Sequence, residues 1–205
     1  SALGARSASR GTTSRTSRQI AEESELLGGS IGASVGSETF GWSFSVPVAN
    51  LRPALALLGD VVQHATLPDD ALETERAAMM TDVARLRDDM YRYPMRLVTE
   101  AAYDAHPYSI PAGGTEESLR SLTFDDVREW YRATLLRAPF VIALTGDVAA
   151  AEVGGLGAVN GGELSLIARD ALPVPEWPLD SVARCVTCDK NQSALVLALP
   201  SPGRT

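Results

Sequence analysis

The period of hydrophobic and polar positions changes several times along the chain, and each change marks an element. From residue 69 onward Leu72, Met79, Val83, Leu86 and Met90 recur at helical spacing, with Glu73, Asp82, Arg85 and Asp89 on the other side. One apolar stripe and one solvated face predict an amphipathic helix. Pro68 with Asp69 and Asp70 suits its start, since proline is tolerated in a first turn and carboxylates favour the positive dipole end. The helix is expected to bend or stop near Tyr93, because Pro94 disfavours helical geometry at the residue before it. A second amphipathic run, Met95, Leu97, Val98, Ala101 and Ala102, leads into a distinctive loop over residues 106–115.

Upstream, residues 17–27 put Ile20, Ser24 and Leu27 on one helical side and Arg18, Glu22 and Glu25 on the other. Gly28 and Gly29 end that helix, glycine accepting the left-handed C-cap geometry. Two runs with a period of two follow. Ile31, Ala33 and Val35 share a face; after Gly36 and Ser37 come Phe40, Trp42, Phe44 and Val46. Such runs around a Gly-Ser turn predict a β-hairpin with one buried face. Residues 51–65 return to helical spacing, and a further helix starts at Thr123, where Thr123 and Asp126 have capping-box spacing and Phe124, Val127, Trp130 and Tyr131 form the buried side. The continuous apolar run 140–144 reads as a central strand ended by Thr145, Gly146 and Asp147.

An early hairpin and paired helices between strands favour an α+β class, an antiparallel sheet packed against helices, over a doubly wound parallel fold. Residues 1–18 are small and polar, with four arginines and no periodicity, and read as a flexible N-terminal segment. Residues 19–148 then form the α+β domain. Residues 149–182, with Gly154, Gly155, Gly161, Gly162, Pro173, Pro175 and Pro178, read as a linker. Residues 183–205, with two strand-like runs (the first from Val182, at the linker's last residue, to Asp189, the second 193–199), suggest the opening of a second domain that is cut off, because two strands cannot bury themselves alone. Ser1 is not a methionine, which points to a beginning further upstream.

Composition narrows the function classes. A chain of 205 residues with 45% hydrophobic content can bury one good core. Its net charge of −8 argues against sequence-independent nucleic-acid binding, which needs a basic surface to release counterions. No apolar run approaches the roughly 20 residues that span a bilayer, and the N-terminal segment lacks the apolar core of a signal peptide. The expectation is a soluble protein, cytoplasmic or periplasmic.

Candidate chemistry is sparse. His64 and His106 are the only histidines, without a second ligand at helical spacing; a metal site needs three or four convergent donors, so both read as packed or capping residues. Cys185 and Cys188 form a CxxC inside a strand-like run, where the thiols face opposite ways instead of sitting at a helix N-terminus. The glycines at 154–162 match no phosphate-binding pattern. Asp88 with Asp89, Glu116 with Glu117 and Asp125 with Asp126 are adjacent pairs on solvated turns. The Phe40, Trp42 and Phe44 stripe lacks the basic neighbours of a stacking platform and reads as core.

Gly11-Thr12, Leu27-Gly28-Gly29, Asn50-Leu51, His106-Pro107-Tyr108, Gly113-Gly114-Thr115 and Thr145-Gly146-Asp147-Val148 follow one another in an order that resembles the inverzincin zinc metallopeptidases of peptidase family M16, which includes pitrilysin, insulin-degrading enzyme and mitochondrial processing peptidase. Gly11-Thr12, Ser14-Arg15-Thr16-Ser17 and Gln19-Ile20-Ala21-Glu22 are similar to its "GT…RS…EIA" helix. Leu27-Gly28-Gly29, Ile31-Gly32-Ala33 and the 40–46 strand resemble its hairpin. Asn50-Leu51, Ala56-Leu57-Leu58 and the run from Leu72 to Arg76 resemble its "NL..AL.LL.D" and "LE.ER" helices. His106-Pro107-Tyr108, Gly113-Gly114-Thr115, Leu119 and Leu122-Thr123-Phe124-Asp125-Asp126 are similar to "HPYG.P..GT.E.L..LT.DDL", and Thr145-Gly146-Asp147-Val148 to its "GDV" strand end. The likeness covers about residues 11–148; residues 184–200, with Lys190, Asn191 and Gln192, resemble the first strands of the next domain.

The resemblance implies an M16-like (LuxS/MPP-like) α+β domain plus the truncated start of a second. It also locates a departure. The family's H-x-x-E-H, two zinc-binding histidines one turn apart with a general-base glutamate between, belongs on a helix just before the "GT" string. Here that stretch is Ser-Ala-Leu-Gly-Ala-Arg-Ser-Ala-Ser-Arg. The family's third ligand, seven residues after the "ER" glutamate, falls on Asp82 counting from Glu75; without histidines it is not assigned to metal. No catalytic, cofactor-binding or metal residue is therefore expected in this chain. The family's substrate-binding Arg/Tyr pair belongs beyond Thr205. The implied function is the non-catalytic portion of an M16-like peptidase, which helps enclose a peptide or small protein and docks on a zinc-bearing homologous half in the same chain or a separate subunit. The alternative is a structural protein, as relatives in the respiratory bc1 complex have lost peptidase activity. A self-sufficient zinc peptidase is disfavoured by the missing ligands.

Overall fold

The computed structural model describes residues 2–148, 174–178, 180–189 and 191–200. Its first element, helix α1 (Ala2–Ser7), lies where the sequence suggests a flexible segment. Every residue of α1 except Arg6 is buried, and Leu3, Ala5 and Ala8 are among the least exposed side chains of the chain. The small residues that remove periodicity here permit close packing. A Cβ on Gly4 would sit 3.1 Å from Val127 Cγ1 and 3.5 Å from the Tyr131 ring. A helix this short is marginal alone and is held by its neighbours.

Local signals place the next elements well. Thr16 and Gln19 form a reciprocal capping box for α2 (Ser17–Leu26), which buries Ile20 and Ser24. Gly28 follows with φ +90°, the left-handed geometry that relieves the helix end. Strands β1 (Ile31–Val35) and β2 (Phe40–Phe44) pair antiparallel, Ala33 opposite Trp42. Their apolar face is only half-covered, and Phe40 remains 37% exposed. Phe40 meets Trp130 edge-on at 5.1 Å, and the Trp42 indole N–H donates to the Ala5 carbonyl at 3.2 Å, one of the acceptors a helix end leaves free.

Helix α3 (Leu51–Gln63) buries Ala54, Leu55, Leu57 and Val61. Helix α4 (Asp69–Leu86) ends several residues before the break expected at Tyr93. The reason is Asp89, whose Oδ1 accepts the backbone N–H groups of Tyr91 (2.9 Å) and Arg92 (2.8 Å) and so starts α5 (Arg92–Tyr103). Pro94 then falls in the first turn of α5, where its missing N–H costs nothing. These backbone donors, Arg92 first, hold the Asp89 carboxyl below the usual carboxylate range.

Helices α6 (Glu116–Ser121) and α7 (Phe124–Trp130) both start on capping boxes, Thr115 with Ser118 and Thr123 with Asp126, and a single π-type turn (Tyr131–Leu135) follows α7. Tyr131 is buried and donates to the Val62 carbonyl at 2.8 Å; burial pushes its phenol pKa up. The core joins Ala2, Leu3 and Ala8 to Ile20, Leu57, Val61, Leu67, Leu72, Met79, Leu119, Val127 and Tyr131. Leu67 takes φ +50°, uncommon for leucine; core burial of its side chain and two bonds from Arg128 to its carbonyl, at 3.2 and 2.9 Å, hold it there.

The expected central strand at 140–144 is not one. Among the described residues the only sheet is β1 with β2, and Phe140, Val141 and Ile142 are 55%, 93% and 47% exposed. The runs at 182–189 and 193–199 are likewise unpaired, with Leu195, Leu197 and Leu199 exposed. Apolar alternation makes a segment able to join a ladder, but among the described residues these runs pair with no strand. Most of the expected 149–182 linker, including the Gly154–Gly162 glycines, lies outside the described residues. The architecture is α+β, helices around one small antiparallel sheet.

Candidate functional site

The place to look is where α1 meets α4. Helix α4 carries Leu72, Glu75 and Met79 on its buried stripe, so a carboxylate stands among apolar side chains. The Glu75 side chain is 10% exposed. A buried carboxylate needs a partner, and α1 supplies it. Arg6 Nε donates to Glu75 Oε1 at 2.6 Å, and Arg10 Nη2 stands 3.7 Å from Glu75 Oε2, so a guanidinium faces each oxygen. Asp82, one helical repeat further on at the solvent end of the stripe, lies 3.8 Å from Arg6 Nη1 with its side chain 58% exposed.

Zinc does not fit this donor set. A catalytic zinc takes three protein donors and a water, and histidine supplies neutral nitrogen. Arg6 of α1 and Arg10 of the 3-10 turn that follows it (Ala8–Arg10) instead bring cations with donors only. A dication here would meet two fixed positive charges and compete for one buried carboxylate. Among the described residues no three His, Cys, Asp or Glu side chains converge on a metal position.

A second cluster braces the same region. Asp60 on α3, its side chain 13% exposed, accepts from Thr12 Oγ1 (2.8 Å), Ser14 Oγ (3.1 Å), Arg15 Nη1 (2.8 Å) and His64 Nδ1 (2.9 Å). Burial pushes the Asp60 carboxyl up, but the bonds from Thr12, Arg15, His64 and Ser14 together outweigh it, and its pKa lies below the ordinary value. Backbone bonds from Thr13 to His64 (3.1 Å) and from Thr66 to Gly11 (3.0 Å) stitch the 11–16 turn to the end of α3. The Gly11-Thr12 to Arg15 string is thus a brace that fixes where α1 ends, and hence where Arg6 points.

Both histidines act locally. His64 pairs with Asp60, and His106 caps the 3-10 turn Pro107–Ser109 by accepting from Tyr108 N at 3.2 Å. Tyr103, His106 and Tyr108 stack edge to face, and the Tyr108 hydroxyl donates to Glu38, tying the hairpin turn to this loop. Asp126 serves the α7 cap and Glu116 pairs with Arg120, so the adjacent carboxylates come together with nothing catalytic. Cys185 and Cys188 are exposed free thiols. Arg6 carries no local signal in the sequence of its own helix. A glutamate at i+3 of Leu72 and i−4 of Met79, inside an apolar stripe, is the signal that a buried cation must be supplied from elsewhere.

A helix that meets a carboxylate-bearing helix shortly before a Gly-Thr turn, in an α+β domain, is the arrangement that the resemblance to family M16 implies. The chain belongs to the insulinase family, peptidase family M16, whose model matches residues 3–116. It is 26% identical over 139 residues to the uncharacterized zinc protease YmxG of Bacillus subtilis (strain 168), covering 68% of this chain and 34% of that protein. It is 28% identical over 170 residues to human mitochondrial cytochrome b-c1 complex subunit 1, covering 80% of this chain and 34% of the relative. Its fold matches the crystal structure of a peptidase M16 inactive domain from Pseudomonas fluorescens with a TM-score of 0.72 at 22% identity, covering 85% of this chain and 43% of that one. The chain spans about a third of the length of these two curated relatives.

Proposed function

We propose that this chain is a non-catalytic portion of an M16-type zinc peptidase, which helps form the peptide-enclosing chamber and docks on a zinc-bearing homologous half. The observation that carries the reading is the α1–α4 contact. Helix α1, one 3-10 turn (Ala8–Arg10) before Gly11-Thr12, turns Arg6 toward Glu75, at 2.6 Å, where the family's chemistry needs a neutral donor. The fold of a domain named inactive in another M16 protein supports it. In this reading zinc and the general base belong to the other half, and residues 183–205 begin a following domain.

The test mixes the purified chain with a zinc-bearing M16 half from the same organism and follows cleavage of a quenched fluorescent peptide. Alone, the chain is expected to be inert; mixed, cleavage appears and stops with a chelator. Chelator-sensitive cleavage by the chain alone overturns the reading. The similarity to the cytochrome b-c1 subunit favours a second reading, a structural subunit, over 80% of this chain. A stable but inert complex with the partner half is its expected outcome. Among the described residues no helix is long and apolar enough to cross a membrane.

A further inference from the structure

We propose that Arg6 is an ion-pair staple that does between α1 and α4 the mechanical work a bound cation would do, and that keeps this place closed to divalent metals. This rests on reading the chain as a metal-free half. Four observations point the same way. The Glu75 carboxylate is nearly buried on the apolar stripe of α4, so it requires a cation at contact distance. Arg6 provides one at 2.6 Å, and it is the one residue of α1 that is not buried, its head reaching out of an otherwise sealed helix. Arg10 approaches the second Glu75 oxygen and Asp82 approaches the far side of Arg6, so the charges alternate across the seam. The segment beyond α1 and its 3-10 turn (Ala8–Arg10) is anchored through Thr12 and Arg15 to Asp60, which holds the chain on the C-terminal side of Arg6.

Arginine suits a permanent staple. Its guanidinium stays charged at any working pH, offers donors in a fixed fork, and has no lone pair with which to ligate a metal. A histidine here would be switched by pH or recruited by zinc; an arginine is neither. An incoming dication would have to displace a fixed charge from a carboxylate already satisfied.

The experiment is a thermal-denaturation double-mutant cycle on the full chain with Arg6→Met, Glu75→Gln and the double variant, each with and without added zinc. Arg6→Met is expected to lower the melting temperature by roughly 5 °C or more, since it strands a buried carboxylate in a chain of this size. The double variant should lose clearly less than the two single losses summed. Should Arg6→Met fail to fold, Arg6→Lys carries the cycle, because it keeps the charge and loses the fork. Zinc should leave the wild-type melting temperature within about 1 °C of its metal-free value. Strictly additive losses would overturn the staple while leaving the non-catalytic reading intact. Stoichiometric zinc in the wild type that Glu75→Gln abolishes would overturn both.

Discussion

Two short regions of this chain exchange the roles their composition suggests. Residues 2–8, mostly alanine, glycine and serine, are the best-buried stretch among the described residues, and Ala5, Ser7 and Ala8 show no exposed surface. Residues 140–142, Phe-Val-Ile, face outward, with Val141 93% exposed. The difference lies in the surroundings. Helix α1 has α4, α7 and the hairpin around it, and its small side chains let all three approach. The 140–144 run has no ladder to join among the described residues. Apolar character sets what burial would be worth; only a partner surface delivers it.

That contrast can be broken by substitution. The largest effect is expected in α1. Leu3→Ala should cost about 3 kcal/mol through lost burial and a cavity, lowering the melting temperature by about 6–12 °C. Gly4→Val should do comparable harm by pushing a branched side chain into Val127. Calorimetry checks both, and a loss below about 1 kcal/mol for Leu3→Ala would mean that α1 is not core.

Next comes the brace that holds the end of α1. Asp60→Asn should cost about 1–3 kcal/mol, because it weakens a hub with four donors. The sign with pH follows from the lowered pKa of Asp60. The carboxylate stabilises the fold fully above its unfolded value of about 3.9, and that stability is lost as pH falls through the lower folded value. Denaturant midpoints between pH 6 and pH 2 should therefore fall less steeply for Asp60→Asn than for the wild type. Parallel curves would remove Asp60 from the account.

Smaller effects sharpen the comparison from the other side. Ser7 is fully buried and its hydroxyl finds no hydrogen-bond partner among the described residues, so Ser7→Ala should be neutral or stabilise by up to about 1 kcal/mol. A destabilised Ser7→Ala would point to a partner for that hydroxyl. Smallest of all, Val141→Ser should stay within about 0.5 kcal/mol of wild type. If it costs as much as Leu3→Ala, the 140–144 run is packed after all.

Much of the fold is legible from neighbours in sequence. The capping boxes at Thr16 and Thr123, the glycine stop at Gly28 and the alternation of β1 and β2 are contests settled within four or five residues. The α4–α5 break is harder, because Pro94 and Asp89 give competing local signals. A cap on two backbone N–H groups ends the competition at Asp89, and proline then fits a first turn. The site is half legible. Counting from Glu75 leads to Asp82 on the right helix, but Arg6 lies 69 residues from Glu75 and belongs to a stretch without periodicity. Charge pairing at that separation leaves no period to read.

By itself, then, the amino-acid order determined most of the longer helices, the Thr123 cap, the glycine stop after α2, the hairpin and the M16 family likeness, since each depends on spacing or on strings read in order. The tertiary structure alone decided that the small-residue N-terminal helix is core, that the apolar 140–144 run stands exposed, and that a guanidinium occupies the α1–α4 seam. Burial and long-range charge pairing are properties of two surfaces meeting, and no single stretch of sequence contains both.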